Sequence, residues 1–167
     1  ALPSSGPHSN GYSLIRKIFE HAGVNPEIAL LSDNTSLIDT VMEPTRIYVN
    51  SVRHAMATGL VSGAVHLTGG GFQENLPRSF DRNLAAHIDL DTWERPEIFK
   101  WLEHHGDVGA EEMLRTFNCG LGFILICPKA DANLVMQTLS DFGESPIIIG
   151  QIIENKNASV TFSGAFS

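Results

Sequence analysis

Glycine or proline follows nearly every apolar segment of this chain, and this limits the length of any helix or strand. Glycine adopts the left-handed conformation that ends many helices, while proline lacks an amide N–H and restricts the residue before it. The chain must therefore fold from short elements. Its longest apolar run, GLGFILICP, is far too short to span a bilayer. The residues that end the segments are Gly23, Pro44, Gly59, Gly69, Gly106, Pro128 and Gly143.

Apolar residues spaced three and four apart predict helices, and alternating or continuous apolar runs predict strands. The predicted helices are residues 14–22, 37–42, 45–58, a short one from 72, 96–105, 110–116 and 134–142, and the predicted strands are 64–67, 84–90, 120–127, 147–153 and 158–162. An Asn-Lys-Asn turn between the last two strands predicts a hairpin. Helices come first and then alternate with strands, which favours an α+β fold, a layered α/β/α sandwich with a mixed β-sheet.

Composition limits the classes of partner. The chain has 167 residues, 43% of them apolar, and a net charge of -8. This length predicts one domain. The negative charge and scattered basic residues argue against nucleic acid, and no membrane partner is expected. Cys119 and Cys127 lack metal-ligand spacing, so we predict reduced thiols in a cytoplasmic protein and no bound metal.

The loop before the first helix, ALPSSGPHSNG, holds more helix-capping residues than one cap requires. A helix N-terminus exposes unpaired N–H groups and a partial positive charge, and small residues there let a phosphate approach the backbone. The pattern therefore predicts either an ordinary cap by Ser9 or Asn10, or an anion site. The candidate binding residues are Ser4, Ser5, Gly6, Ser9, Asn10 and Gly11, and His8 is a candidate catalytic group that can titrate near neutral pH.

Three consecutive glycines, Gly69, Gly70 and Gly71, lie between the strand 64–67 and the next helix. Such a run loses conformational entropy on folding, which close approach of the backbone to a ligand or a neighbouring strand would explain. The run matches neither a Walker loop nor GxGxxG.

Polar residues near these glycines are further candidates. Glu74, Asn75 and Arg78 follow at helical spacing, and Arg78 could bind a phosphate or carboxylate, although Glu74 and Arg78 also fit a surface ion pair. His66, between apolar neighbours, fits a structural role better than a functional one. In RTFNCG, the residues Arg115, Thr116 and Asn118 fit equally a cleft wall or a polar loop.

Taken together, these segments resemble the C-terminal half of the aminoimidazole ribonucleotide synthetase family, whose members are also called phosphoribosylformylglycinamidine cyclo-ligases. The resemblance covers about residues 2–153, which implies a family domain over residues 1–154, with 155–167 as a C-terminal strand or tail. It is carried by LPSSGPHSNGYSLIRK, PTRIYVNSV, HLTGGGFQENLPR, WLEHHGDV, EMLRTFNCGLG and GESPIIIGQI, in that order.

The resemblance implies ATP-dependent ring closure in purine biosynthesis. ATP and Mg²⁺ would bind mainly to an N-terminal half that is not part of this chain, and the intact enzyme would be a homodimer. Both glycine-rich loops would face a ribonucleotide substrate in the cleft between the halves, and the chain alone would be inactive. Two alternatives stay open. One is another enzyme of the superfamily, such as formylglycinamidine ribonucleotide synthetase, selenophosphate synthetase or thiamine monophosphate kinase, and the other is a non-catalytic anion-binding or interaction module.

Overall fold

A computed structural model describes residues 1–155 and 159–166. Those residues form seven α-helices and six strands, which confirms the α+β class. The helices are α1 (Tyr12–Ala22), α2 (Leu37–Met42), α3 (Val49–Ala57), α4 (Gly71–Asn75), α5 (Glu97–Gly106), α6 (Ala110–Thr116) and α7 (Ala132–Asp141). The strands are β1 (Leu2–Pro3), β2 (Gly63–His66), β3 (Leu84–Asp89), β4 (Leu121–Ile126), β5 (Gly150–Glu154) and β6 (Val160–Ser163).

The helices follow the predicted periodicity, although most of their ends are shifted by one to four residues. The helix predicted from residue 45 begins at Val49, because the segment before it holds the N-terminal loop through the Pro44 carbonyl, which accepts from Ser5 Oγ at 2.7 Å. Gly106, predicted to end α5, is its last helical residue, and Asp107 takes the left-handed conformation instead.

The strands form two three-stranded sheets where one mixed sheet was predicted. The first has the order β1-β4-β2 and is antiparallel throughout. The second has the order β5-β3-β6, with β3 antiparallel to β5 and parallel to β6, and is the mixed sheet. The predicted hairpin is wrong, because β5 and β6 lie on opposite sides of β3. Of the predicted turn, Lys156 and Asn157 lie outside the described residues.

Helices cover both faces of the first sheet, which gives the layered arrangement. On one face, α3 and α7 bury Val52, Ala55, Val135 and Leu139 against the strands. On the other face, the main core extends to the second sheet and to α1, α5 and α6, with Phe72, Phe99 and Phe117 fully buried. In the part of the chain that is described, no helix is both long and apolar enough to cross a membrane.

Candidate functional site

The N-terminal loop, residues 4–11, is held in place by Asn118, which is 1% exposed. The Asn118 side chain donates to the Gly6 carbonyl at 2.9 Å and accepts from Ser4 Oγ at 3.1 Å and from the Gly120 N–H at 2.9 Å. A buried amide with three such partners positions a loop and is not free to bind a ligand. Asn118 is therefore part of a polar loop, the simpler of its two interpretations.

The start of α1 has no side-chain cap. Its N-cap residue is Gly11, with φ +75°, and neither Ser9 nor Asn10 bonds the first turn. Ser9 Oγ instead lies 3.3 Å from Thr45 Oγ1. The first turn also carries no acidic residue. Because the first N–H groups of a helix need outside partners, this end is open to an anion.

His8 is buried beside β4 and is 2% exposed. Gly122 leaves room for its ring, since a Cβ added there would lie 2.6 Å from His8 Cε1. His8 Nε2 accepts the Ser5 N–H at 3.2 Å, so the ring proton lies on Nδ1, which has no partner among the described residues. The φ of His8 is +56°, a conformation that costs a non-glycine residue about 1–2 kcal/mol and often occurs at functional sites.

Burial, followed by repulsion from His66 and Arg46, lowers the pKa of His8 from 6.5 to about 4. The imidazole is therefore neutral at pH 7. The expectation that His8 titrates near neutral pH does not hold, and a neutral hydrogen-bond donor describes this side chain better than a proton carrier.

The three glycines of the Gly69–Gly71 run have different surroundings. Gly70 and Gly71 have φ values of +91° and +54°, and a Cβ on Gly71 would lie 2.9 Å from the Arg115 carbonyl oxygen. The fold therefore requires glycine at both positions. Gly69 has no left-handed φ, and the nearest atom to an added Cβ is Asn10 Oδ1 at 3.8 Å. The fold does not require glycine at Gly69.

Two other candidate residues, Asn75 and Glu74, contact the backbone of the glycine run. Asn75 is buried, and its Nδ2 donates to the carbonyl oxygens of Thr68, Gly69 and Gly71, the last at 2.7 Å. The Glu74 carboxylate folds back over Gly70, where an added Cβ would overlap it. Glu74 thus occupies the N-terminal end of α4, and the open part of the loop is Gly69.

The N-terminal loop and the glycine run lie next to each other, since a Cβ added to Gly69 would lie 3.8 Å from Asn10 Oδ1. The N-terminal loop is bonded to Asn118, in the loop just before β4. The glycine run follows β2, which pairs with β4. The site that results combines the open end of α1, the side chain of Asn10 and the bare backbone of Gly69.

Residues 1–163 match the protein family described as AIR synthase related protein, C-terminal domain. The chain belongs to this family. It is 44% identical over 158 residues to a phosphoribosylformylglycinamidine cyclo-ligase from Bordetella petrii, covering 93% of this chain and 45% of that protein. It is 43% identical over 159 residues to the bifunctional purine biosynthetic protein ADE1 of Schizosaccharomyces pombe, covering 95% of this chain and 20% of that protein. The chain thus spans less than half the length of these relatives.

Among solved structures, a thiamine-monophosphate kinase from Stenotrophomonas maltophilia K279a has a similar fold. The TM-score is 0.62 over 98% of this chain and 50% of that one, at 18% sequence identity. At this identity the likeness concerns the fold alone. It shows that the AIR synthase C-terminal domain fold occurs in at least one other enzyme that carries a different name.

His66 lies closer to the site of this AIR synthase C-terminal domain than the sequence indicated. It is exposed, and its ring centroid lies 6.0 Å from both His8 and Tyr48. Its apolar neighbours in the sequence suggested a structural role. Strand alternation is the signal that could have corrected this, because Val65 and Leu67 point into the core and His66 must point the other way.

Arg78 lines a cleft of about 270 Å³ along β2, together with His66 and Asn75. Its side chain is exposed and lies 3.9 Å from Glu74. This is the i,i+4 surface pair considered from the sequence, and a pair so exposed adds little stability. Arg115 and Thr116 both contact Glu112 on the same helix.

Neither cysteine is placed for nucleophilic chemistry. Both thiols are free, and burial raises the pKa of Cys119 to about 12, so this thiol stays protonated at neutral pH. Within residues 1–155 and 159–166, no three His, Cys, Asp or Glu side chains are grouped so that they could hold a metal ion.

Proposed function

We propose that this chain is the C-terminal half of an ATP-dependent cyclo-ligase that converts formylglycinamidine ribonucleotide into aminoimidazole ribonucleotide. Two lines support the proposal. The Bordetella petrii relative carries the name of this activity at 44% identity. The chain also has an uncapped helix start beside an open glycine backbone, which is what binding of a phosphate group requires.

The observation that carries most weight is the surroundings of Gly69. Glycine is entropically unfavourable, and the fold explains it at Gly70 and Gly71 but not at Gly69. A ligand that contacts the bare Cα explains the remaining glycine. The substrate phosphate or the phosphoryl group in transfer is the ligand that we propose.

In the proposed reaction, the γ-phosphoryl group of ATP moves to the formyl oxygen, an internal nitrogen attacks the activated carbon, and phosphate leaves with that oxygen. The nitrogen loses a proton as the ring forms. This chain would contribute positioning and charge stabilisation. The first N–H groups of α1 would hold an anionic oxygen, and the neutral His8, which accepts the Ser5 N–H, would position the loop before that helix.

ATP and Mg²⁺ are assigned to the N-terminal half of the intact enzyme. Magnesium prefers carboxylate oxygens, and the acidic residue of the glycine loop, Glu74, is folded over Gly70. The proposal therefore leaves magnesium to carboxylates of the N-terminal half. A homodimer, a ribonucleotide bound between the two halves and a cytoplasmic location belong to the same proposal.

The test uses the intact enzyme and the matched variants Gly69→Ala and Gly109→Ala. Both positions have room for a Cβ without a left-handed φ, so both variants should fold and melt like the wild type. Gly69→Ala should lower kcat/KM for formylglycinamidine ribonucleotide by 10-fold or more, on the order of the loss for one misplaced contact. Gly109→Ala should leave it unchanged. Equal activity of both variants would contradict the proposed site.

The substrate separates this function from the alternatives. An intact protein that turns over only thiamine monophosphate or selenide would belong to another branch of the superfamily. The 167-residue chain alone should show no ATP turnover, and adding the separately produced N-terminal half should restore it. ATP turnover by the 167-residue chain alone would contradict the proposal that ATP binds mainly to the N-terminal half.

A further inference from the structure

The connection between α2 and α3, residues 43–48, forms neither helix nor strand, yet it holds the N-terminal loop at two points. Ser5 Oγ donates to the Pro44 carbonyl at 2.7 Å. Ser9 Oγ lies 3.3 Å from Thr45 Oγ1. The shape of the N-terminal loop therefore depends on the path that this connection takes.

Contacts at the two ends of the connection extend this support to the residues that flank the loop. The hydroxyl of Tyr12, the first residue of α1, lies 2.8 Å from the carbonyl oxygen of Val41 in α2. Tyr48 is buried, and its hydroxyl donates to the Pro3 carbonyl at 2.7 Å. The chain is thus held directly before the loop, within it and directly after it.

An ion pair anchors the middle of the connection. Arg46 Nη2 lies 2.6 Å from Oε2 of Glu144, which follows α7 and is 98 positions further along the chain. The Glu144 N–H donates to the Leu139 carbonyl at 3.0 Å, so this residue is itself fixed to the end of α7. Its side chain is 8% exposed, and a carboxylate so removed from water depends on its partner. The Arg46 guanidinium also lies 5.7 Å from the centre of the Tyr48 ring, within cation–π range.

The pair matters because the connection has little else to order it. Of residues 43–48, Tyr48 alone is buried, and a segment without helix or strand bonds loses conformational entropy that its own backbone does not offset. The Arg46 charge also reaches the site, since it is a cause, after burial and His66, of the lowered pKa of His8. Direct contact between Arg46 and the anion is therefore the alternative that a test has to separate.

We propose that Arg46 and Glu144 are positioning residues for the anion site. Their ion pair fixes residues 43–48, and these residues hold the N-terminal loop in the shape that presents the open end of α1. The inference rests on the proposed function for the identity of the ligand. A loop that has the binding shape for only a fraction of the time lowers the apparent affinity by that fraction. Loss of the pair should therefore raise KM and leave kcat nearly unchanged.

The kinetic test uses the intact enzyme. Arg46→Met and Glu144→Gln should each raise KM for formylglycinamidine ribonucleotide by about 5-fold or more, with kcat within about 2-fold of wild type. Arg46→Lys, which retains a cation beside Glu144, should stay within about 2-fold in KM. Lys100→Met removes the exposed pair between Lys100 and Glu94 and is the control, which should leave KM unchanged.

Glu144→Gln separates positioning from direct binding. This variant frees the Arg46 guanidinium from its carboxylate partner, so an arginine that bound the ligand itself would bind it equally well or better. A KM that falls or stays the same in Glu144→Gln would overturn the proposal. A KM that rises in both Arg46→Met and Glu144→Gln supports it.

Hydrogen exchange of the same intact proteins gives a readout without turnover. The amides of residues 4–11 should exchange about 5-fold faster or more in Arg46→Met and Glu144→Gln than in wild type, while those of β4 keep their rates. The double variant Arg46→Met/Glu144→Gln leaves no unpaired carboxylate, so it should fold and show the same pattern even where Arg46→Met does not fold. Unchanged exchange in residues 4–11, or faster exchange throughout β4, would overturn the proposal. If the intact protein acts on another substrate, this readout still measures the role of the pair, so the proposed function can fail separately.

Discussion

Gly69, Gly70 and Gly71 are consecutive, yet a different physical feature explains why each of the three residues is glycine. Gly70 begins α4 in the left-handed conformation, Gly71 allows α4 to contact the backbone of α6, and Gly69 faces Asn10 across open space. The sequence predicted that the run is special. It could not say which glycine is free, because that depends on the neighbours that tertiary structure brings.

At this scale, we predict that Gly71→Ala lowers the free energy of unfolding by about 2–4 kcal/mol. Alanine at φ +54° costs about 1–2 kcal/mol, and the clash with the backbone at Leu114 and Arg115 adds to it. Urea denaturation of the chain measures this value. Gly109→Ala, with open space and an ordinary φ, is the control, and a Gly71→Ala variant as stable as that control would contradict the packing described here.

His8 gives a prediction on pH. Its folded pKa of about 4 lies below the unfolded value of 6.5, so the unfolded chain binds more protons between these values and stability falls as pH drops through this window. From pH 7 to pH 5, wild type should lose about 1–2 kcal/mol more of its unfolding free energy than His8→Gln does. Because both proteins contain the Ala1 amino group, its titration cancels when their losses of unfolding free energy are subtracted. Parallel curves would show that His8 is not held neutral.

At the scale of elements, Asn118 of the RTFNCG segment holds the N-terminal loop in place. We predict that Asn118→Ala lowers the free energy of unfolding by about 2–4 kcal/mol, because it leaves buried partners at Gly6 and Gly120 without a bond. Thermal and urea unfolding measure the loss. Ser9→Ala, at an exposed residue, should change stability by less than about 0.5 kcal/mol. An equally small effect at Asn118 would contradict its anchoring role.

The elements also show what periodicity can and cannot predict. The limits of α2 and α6 agree with the prediction because Pro44 and the apolar spacing are local signals. The hairpin failed because β5 and β6 are both apolar strands that fit beside β3, and alternation within a strand does not identify its partner. The two-residue β1 was missed because only its pairing with β4 makes it a strand.

For the whole molecule, the order of helices and strands predicted the α+β class. The matching motifs predicted the AIR synthase family. The division into two sheets was not predictable, because it follows from which strands this chain contains and how they pair. The candidate site was predictable as two loops. That both loops face one ligand was implied by the family resemblance. The residue spacing alone could not show it, because Asn10 and Gly69 meet only through β4, which pairs with β1 and β2.

The central claim is that the open end of α1 and the Gly69 backbone bind one anionic ligand together. The most direct measurement is a ¹⁵N amide titration of the chain with aminoimidazole ribonucleotide, and with inorganic phosphate in parallel. We predict that the amides of Tyr12, Ser13 and Gly69 shift together and fit one Kd, while those along the β2 edge near Arg78 do not move. Shifts in only one loop, or separate Kd values for the two loops, would contradict the claim.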